Sequence, residues 1–145
     1  MTTGSKFWRD LDVSPDGQWL AFTNRGLPQA DLFISRTDGT GLRQLTNDPP
    51  TNRIPRWSPD GQMIFFFSTR TGGSQVWTIG ADGSGLRQVT DATDQASGPV
   101  VSPDGSRLAV HQHRAGQTFT LAPDGRYLYL ARGEEEADIW MATLK

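Results

Sequence analysis

The tetrapeptide Ser-Pro-Asp-Gly occurs at Ser14 to Gly17, Ser58 to Gly61 and Ser102 to Gly105, and successive copies lie 44 residues apart. The match extends further. A shift of 44 lays Arg9 on Arg53, Asp38-Gly39 on Asp82-Gly83, and Leu42-Arg43-Gln44-Leu45-Thr46 on Leu86-Arg87-Gln88-Val89-Thr90 without a gap. A period in the forties, filled with short apolar runs and turn dipeptides, is what a four-stranded propeller blade needs. The expected fold is all-β, a partial β-propeller of about three to three and a half four-stranded antiparallel blades. A fourth turn, Ala122-Pro123-Asp124-Gly125, follows the third after only 20 residues. The repeats therefore fall at about 8–51, 52–95, a shortened 96–116 and an incomplete 117–145, within one domain spanning 1–145.

Each turn has a local cause. Proline presets φ at the first corner, aspartate caps a nearby backbone N–H, and glycine accepts the positive φ that follows. The runs after the turns are Trp19-Leu20-Ala21-Phe22, Met63-Ile64-Phe65-Phe66-Phe67, Leu108-Ala109-Val110 and Tyr127-Leu128-Tyr129-Leu130. They are nearly continuous in apolar residues, which implies burial on both faces, as for a strand sandwiched between neighbouring blades. Third strands are expected at Leu32-Phe33-Ile34, Val76-Trp77-Thr78 and Ile139-Trp140-Met141. The polar segments Leu42 to Thr46 and Leu86 to Thr90 suit an outer edge, where charge discourages pairing with strangers.

A chain of 145 residues with 35% apolar content makes one ordinary domain with a buried core. Its net charge of -2 lacks the concentrated basic face that binding to nucleic acid or an anionic membrane surface requires. No apolar run approaches the length of a membrane-spanning helix. Met1 to Lys6 lacks the apolar stretch of a secretory signal, so the chain reads as cytoplasmic as written, with the compartment open. The absence of cysteine excludes disulfides and thiolate metal sites or nucleophiles.

The repeat resembles the TolB-type propeller repeat, a relative of the WD repeat built around a strand ending in Ser-Pro-Asp-Gly and followed by an apolar strand. The resemblance covers about residues 8 to 145. Its most specific segment runs from Pro55-Arg56-Trp57-Ser58-Pro59-Asp60-Gly61 through Gln62-Met63-Ile64-Phe65-Phe66 to Val76-Trp77 and Ala81-Asp82-Gly83. It implies that the strand before Ser-Pro-Asp-Gly lies nearest a central axis and the Leu-Arg-Gln strand lies outermost. Family members act as protein-binding modules, as sensor portions of signalling proteins, or as gates of prolyl oligopeptidase-type peptidases, and TolB itself is periplasmic.

Family propellers usually close with six or more blades, more than this chain holds. An open arc leaves apolar blade faces bare, and roughly 400 Å² of such surface at about 25 cal/mol per Å² forfeits on the order of 10 kcal/mol. Pairing of two chains, inclusion in a longer propeller, or a third repeat that covers one end would each resolve this. A homodimer or part of a longer propeller is the expectation.

Candidate chemistry is sparse. His111 and His113 would share one face of a strand, yet no other histidine or cysteine exists to complete a metal site, and His111 aligns with packed positions. No Gly-x-Ser-x-Gly elbow presents a serine nucleophile, and the turn serines recur with the fold. Asp16, Asp60, Asp104 and Asp124 sit in separate blades, so turn capping explains them better than calcium, and their pattern differs from the sialidase-type aspartate box. Glu134-Glu135-Glu136 reads as a solvated hairpin tip. Gly72-Gly73 and Gly39-Thr40-Gly41 lack the lysine and helix of a phosphate loop. Arg9, Asp12, Arg53, Arg56 and Trp57 differ from these, because on the innermost strands they should point toward the axis or one rim, where propellers usually bind. The reading is a non-catalytic module for protein or peptide, with no cofactor and no metal. Its alternatives are the propeller portion of a peptidase or lyase and a self-assembling half-propeller.

Overall fold

The computed structural model describes residues 8–24, 29–90, 96–112, 118–121, 128–131 and 142–143. Among these residues there are strands and turns but no helix. The first sheet has the order β1 (Trp8–Val13), β2 (Trp19–Asn24), β3 (Leu32–Arg36), β4 (Arg43–Gln44). The second repeats it as β5 (Asn52–Trp57), β6 (Met63–Ser68), β7 (Gln75–Gly80), β8 (Arg87–Gln88). All pairings are antiparallel, as successive hairpins require. The family order of strands within a blade is therefore the order found.

The third repeat differs. β9 (Ala96–Val101) and β10 (Arg107–Gln112) pair as expected, but the place beside β10 is taken by β13 (Ala142–Thr143), the last strand among the described residues. β11 (Thr118–Leu121) and β12 (Leu128–Ala131) form a separate hairpin. β13 had been expected with the repeat at 117–145. Once the third repeat is shortened, β10 has an edge of unpaired N–H and C=O groups, which a later strand satisfies. His113, the turn Ala122 to Gly125, Glu134 to Glu136 and the segment Ile139 to Met141 lie outside the described residues.

The Ser-Pro-Asp-Gly turn is the same object three times. The glycine N–H donates to the serine carbonyl at 2.8, 2.9 and 2.8 Å, with glycine φ of 70, 70 and 71°. The serine Oγ donates to the aspartate Oδ1 at 2.5, 2.5 and 2.6 Å and accepts the N–H of Trp19, Met63 or Arg107 at 2.9 Å. These donors favour the ionised carboxylate. The Ser14 and Ser58 hydroxyls lower the pKa of Asp16 and Asp60, and Ser102 with the Ser106 N–H and hydroxyl brings Asp104 down to about 2.

The continuous run in β6 is split between two neighbours. Ile64 and Phe66 pack with Ala21, Leu32, Ile34, Trp57 and Ile79 against the first sheet, while Phe65 and Val76 pack with Leu108 against the third. The outer strands are shorter than the five residues expected. Thr46 and Thr90 account for this: the Leu45 and Val89 N–H groups still donate to the Leu32 and Val76 carbonyls at 2.8 Å, but the return bonds from the Leu32 and Val76 N–H groups, at 3.0 and 2.9 Å, go to the threonine hydroxyls instead of backbone carbonyls.

Thr46 also donates to Asp31 Oδ1 at 3.1 Å, and Asn52 Nδ2 reaches Thr46 and Asp48, each at 3.3 Å. An Arg70–Asp48 ion pair at 2.8 Å completes this joint between the first two sheets. Asp31 is buried, and desolvation pushes its carboxyl above the usual range. A raised carboxyl pKa means the charged form burdens the folded state. That cost is present above the folded pKa and disappears as pH falls toward the unfolded value of 3.8. The second repeat carries neutral Gln75 here, which accepts the Thr90 hydroxyl at 2.6 Å. Asp31→Asn is therefore expected to be more stable than the parent at neutral pH, with the difference closing in acid. Urea midpoints measured from pH 3 to 8 check this, and a constant difference across that range would contradict it.

Candidate functional site

β1 packs beside β5 and β5 beside β9, so the sheets converge on these three strands. All three carry the same irregularity. Asp10-Leu11, Ile54-Pro55 and Gly98-Pro99 each place two residues opposite one on the neighbouring strand, the signature of a β-bulge. Their first residues have φ of 52, 54 and 58°. For Ile54, β-branched, this is a strained conformation; Gly98 adopts it freely.

The bulge aims Asp10 at the next blade. Its Oδ2 lies 3.1 Å from Arg53 Nε and also accepts the Thr23 hydroxyl at 3.2 Å. Two residues on, Asp12 Oδ2 accepts the Trp57 backbone N–H at 2.8 Å. Arg56 donates through Nη1 to its own Pro55 carbonyl at 3.0 Å. Arg9 is exposed.

Of the five residues expected to face a partner, Asp12, Arg53 and Trp57 thus join the first two blades. Trp57 departs furthest from expectation. Its indole is 7% exposed and belongs to the core between the sheets, because the bulge resets which residues of β5 face inward. Its Nε1 is buried without a partner among the described residues. Arg9 and Arg56 are left without a carboxylate among the described residues, and the Arg53 side chain is 37% exposed even with its ion pair.

A second feature escaped the sequence reading. Between the first two blades, at their Ser-Pro-Asp-Gly end, lies a cleft of about 840 Å³ whose lining includes Trp19, Arg43, Trp57, Asp16, Asp60 and Asp82. Arg43 bridges the blades by donating from Nη2 to the Ala81 carbonyl at 3.1 Å, and its guanidinium lies 5.6 Å from the Trp19 ring centre. Arg36 lies over the same ring at 4.8 Å. The Ser84 N–H and hydroxyl hold the Asp82 carboxyl below its usual range, as the turn donors do for Asp16 and Asp60. The corresponding cleft between the second and third sheets is about 440 Å³, with Met63 and Val101 at the places of Trp19 and Trp57. The two tryptophans at 44-residue offsets from smaller side chains were the signal available in the sequence. Among the described residues no group of three or more His, Asp or Glu side chains is placed to hold a metal ion.

The profile of the TolB beta propeller domain matches residues 12–137, most of the chain. The chain belongs to the TolB beta propeller family. The Tol-Pal system protein TolB of Anaeromyxobacter dehalogenans is 43% identical over 44 residues, covering 30% of this chain and 10% of that protein. A solved structure described as TolB from Agrobacterium tumefaciens superposes with a TM-score of 0.69 at 24% identity, over 90% of this chain and 50% of that one. A puromycin-hydrolyzing peptidase of Mycobacterium tuberculosis gives 0.64 at 20% identity, over 86% of this chain and 22% of the peptidase. The TolB-like chain thus spans about half of one relative and much less of the others. At these identities the two structural likenesses show the fold alone.

Proposed function

We propose that this TolB-type propeller segment is a non-catalytic binding module for protein or peptide, engaging its partner along the convergent edges of β1 and β5. The observation that carries the reading is the row Arg9, Arg53 and Arg56, in which only Arg53 has an ion-pair partner among the described residues. Guanidinium groups on a rigid sheet edge suit bidentate contacts with carboxylates, so the favoured partner is an acidic peptide segment. The third repeat supplies the neutral reference, since Val100 stands where the second has Arg56. Arg56→Val is expected to weaken binding of a fluorescent Asp/Glu-rich peptide about tenfold, equivalent to 1.4 kcal/mol, while melting stays unchanged. Equal binding by the variant would remove this edge from the account. A stretch related to Tol-Pal system proteins makes a scaffold within that kind of assembly the natural setting.

The likeness to the mycobacterial peptidase favours a second reading, a propeller portion serving a hydrolase centre carried elsewhere. The two readings separate on a parent reading frame. One that contains a Gly-x-Ser-x-Gly strand-turn-helix supports the second, and one without it supports the first.

A further inference from the structure

The cleft between the first two blades carries hydrogen-bonding groups that its turns leave unused. Asp16, Asp60 and Asp82 each commit Oδ1 to their own turn. Asp16 accepts the Ser14 hydroxyl and the Gln18 N–H, Asp60 the Ser58 hydroxyl and the Gln62 N–H, and Asp82 the N–H and hydroxyl of Ser84. Oδ2 of each has no hydrogen-bond partner among the described residues. The turns thus hold three carboxylates in fixed positions around one opening, each with a free oxygen. The same donors keep all three below the usual carboxylate range and therefore charged at neutral pH.

Turn capping explains why each aspartate is present, but not the aromatic part of the cleft. Trp57 lines it and is buried, and its Nε1 has no acceptor among the described residues. A buried donor in that state is unfavourable until something accepts from it. The chain itself shows what kind of group the cleft accommodates. Arg43 reaches into it from the outer strand of the first blade, donates to the Ala81 carbonyl and lies beside the Trp19 ring. Three carboxylates among the lining residues face this single guanidinium. Arg36, stacked on Trp19 outside the lining, still leaves the acids in excess.

A compact metal ion does not match this arrangement, because no group of three or more acidic or histidine side chains among the described residues is placed to hold one. A guanidinium spreads its charge over several N–H donors and suits carboxylates that stand apart. The Trp57 donor calls for an acceptor as well, which a main-chain carbonyl supplies and a simple amine does not. We infer that this cleft binds the arginine side chain of a peptide, with the free oxygens of Asp16, Asp60 and Asp82 as acceptors and Trp57 Nε1 donating to a carbonyl of the same peptide. This goes beyond the arginine row of β1 and β5, since it is a second site and takes the opposite charge. The smaller cleft between the second and third sheets has Asp60 and Asp104 but neither tryptophan nor arginine, and it serves as an internal reference.

The probe is N-acetyl-glycyl-arginyl-glycinamide, titrated into the isotope-labelled protein and followed by heteronuclear NMR. It is expected to shift the Trp57 indole N–H resonance saturably. Asp16→Asn with Asp60→Asn retains Oδ1 for both turns and should weaken binding about tenfold, equivalent to 1.4 kcal/mol. Asp82→Asn alone, expected to weaken it about threefold, carries the test if the double variant does not fold. Asp104→Asn, outside this cleft, should bind as the parent does. A peptide with citrulline for arginine, similar in shape and uncharged, should give no shift. Equal affinity for the citrulline peptide, or full affinity in the Asn variants, would overturn recognition of the charge. Equal weakening by Asp104→Asn, or binding with no response at the Trp57 indole, would put the peptide on the acidic turns at large and overturn the cleft. Spermidine bound as tightly as the peptide would overturn the need for a carbonyl, and no binding at all would overturn the site. Arg56→Val should leave this titration unchanged, so its outcome is independent of the arginine edge.

Discussion

Replacing Phe66 with alanine is expected to destabilise the protein by about 3–5 kcal/mol, the range for a fully buried aromatic side chain. Phe66 is 0% exposed and sits on β6 in the cluster that joins the first two sheets. Removing the ring forfeits its burial and leaves a cavity that neither rigid sheet can close. A typical domain has only about 5–15 kcal/mol of net stability, so the loss approaches global unfolding. Urea titration followed by far-ultraviolet circular dichroism reads it directly, and a loss below about 1 kcal/mol would mean that the two sheets do not pack as described.

Trp57→Ala should be nearly as costly, about 3–5 kcal/mol, because its ring fills the same cluster. The unpartnered Nε1 softens this, since its removal relieves a buried N–H that makes no hydrogen bond among the described residues. The expected result separates two roles for this residue. A rim anchor would lose partner binding without melting earlier, whereas a core residue melts earlier whether or not a partner is present. Thermal melts of the variant against Arg56→Val make the comparison, and an unchanged melting temperature for Trp57→Ala would contradict its place between the blades.

Much of the fold was legible because the information is local. Ser, Pro, Asp and Gly each have one reason to stand in the turn, and the three turns superpose hydrogen bond for hydrogen bond. The run Ile64-Phe65-Phe66 announced burial on both faces, and its residues do divide between two neighbours. The bulges were only partly legible: Asp10, Ile54 and Gly98 share a positive φ but no chemistry, and the available signal was the proline that follows in two of the three, Pro55 and Pro99, a residue that sheets confine to edges and bulges. That omission propagates to the site, since a single inserted residue reverses which side chains face the core. Trp57 accordingly lies in the core between the blades, away from the rim that its place on an innermost strand suggests. The cross-blade bonds of Asp10 and Asp12 were hidden for another, because each meets its partner more than forty residues away in sequence.

The pairing of β13 with β10 shows where sequence periodicity stops being informative. A repeat that has lost its later strands leaves an edge, and which strand satisfies that edge depends on geometry rather than on the 44-residue register.

Residue-resolved amide exchange, measured under native conditions, tests the stacked arc most directly. Graded protection is expected: β6 and β7, flanked by sheets on both sides, open only with global unfolding, while β1, whose Trp8, Leu11 and Val13 are exposed, exchanges through cheaper local openings. Equal protection of β1 and β6, or slower exchange in β1, would contradict an open first face and with it the order of blades described here.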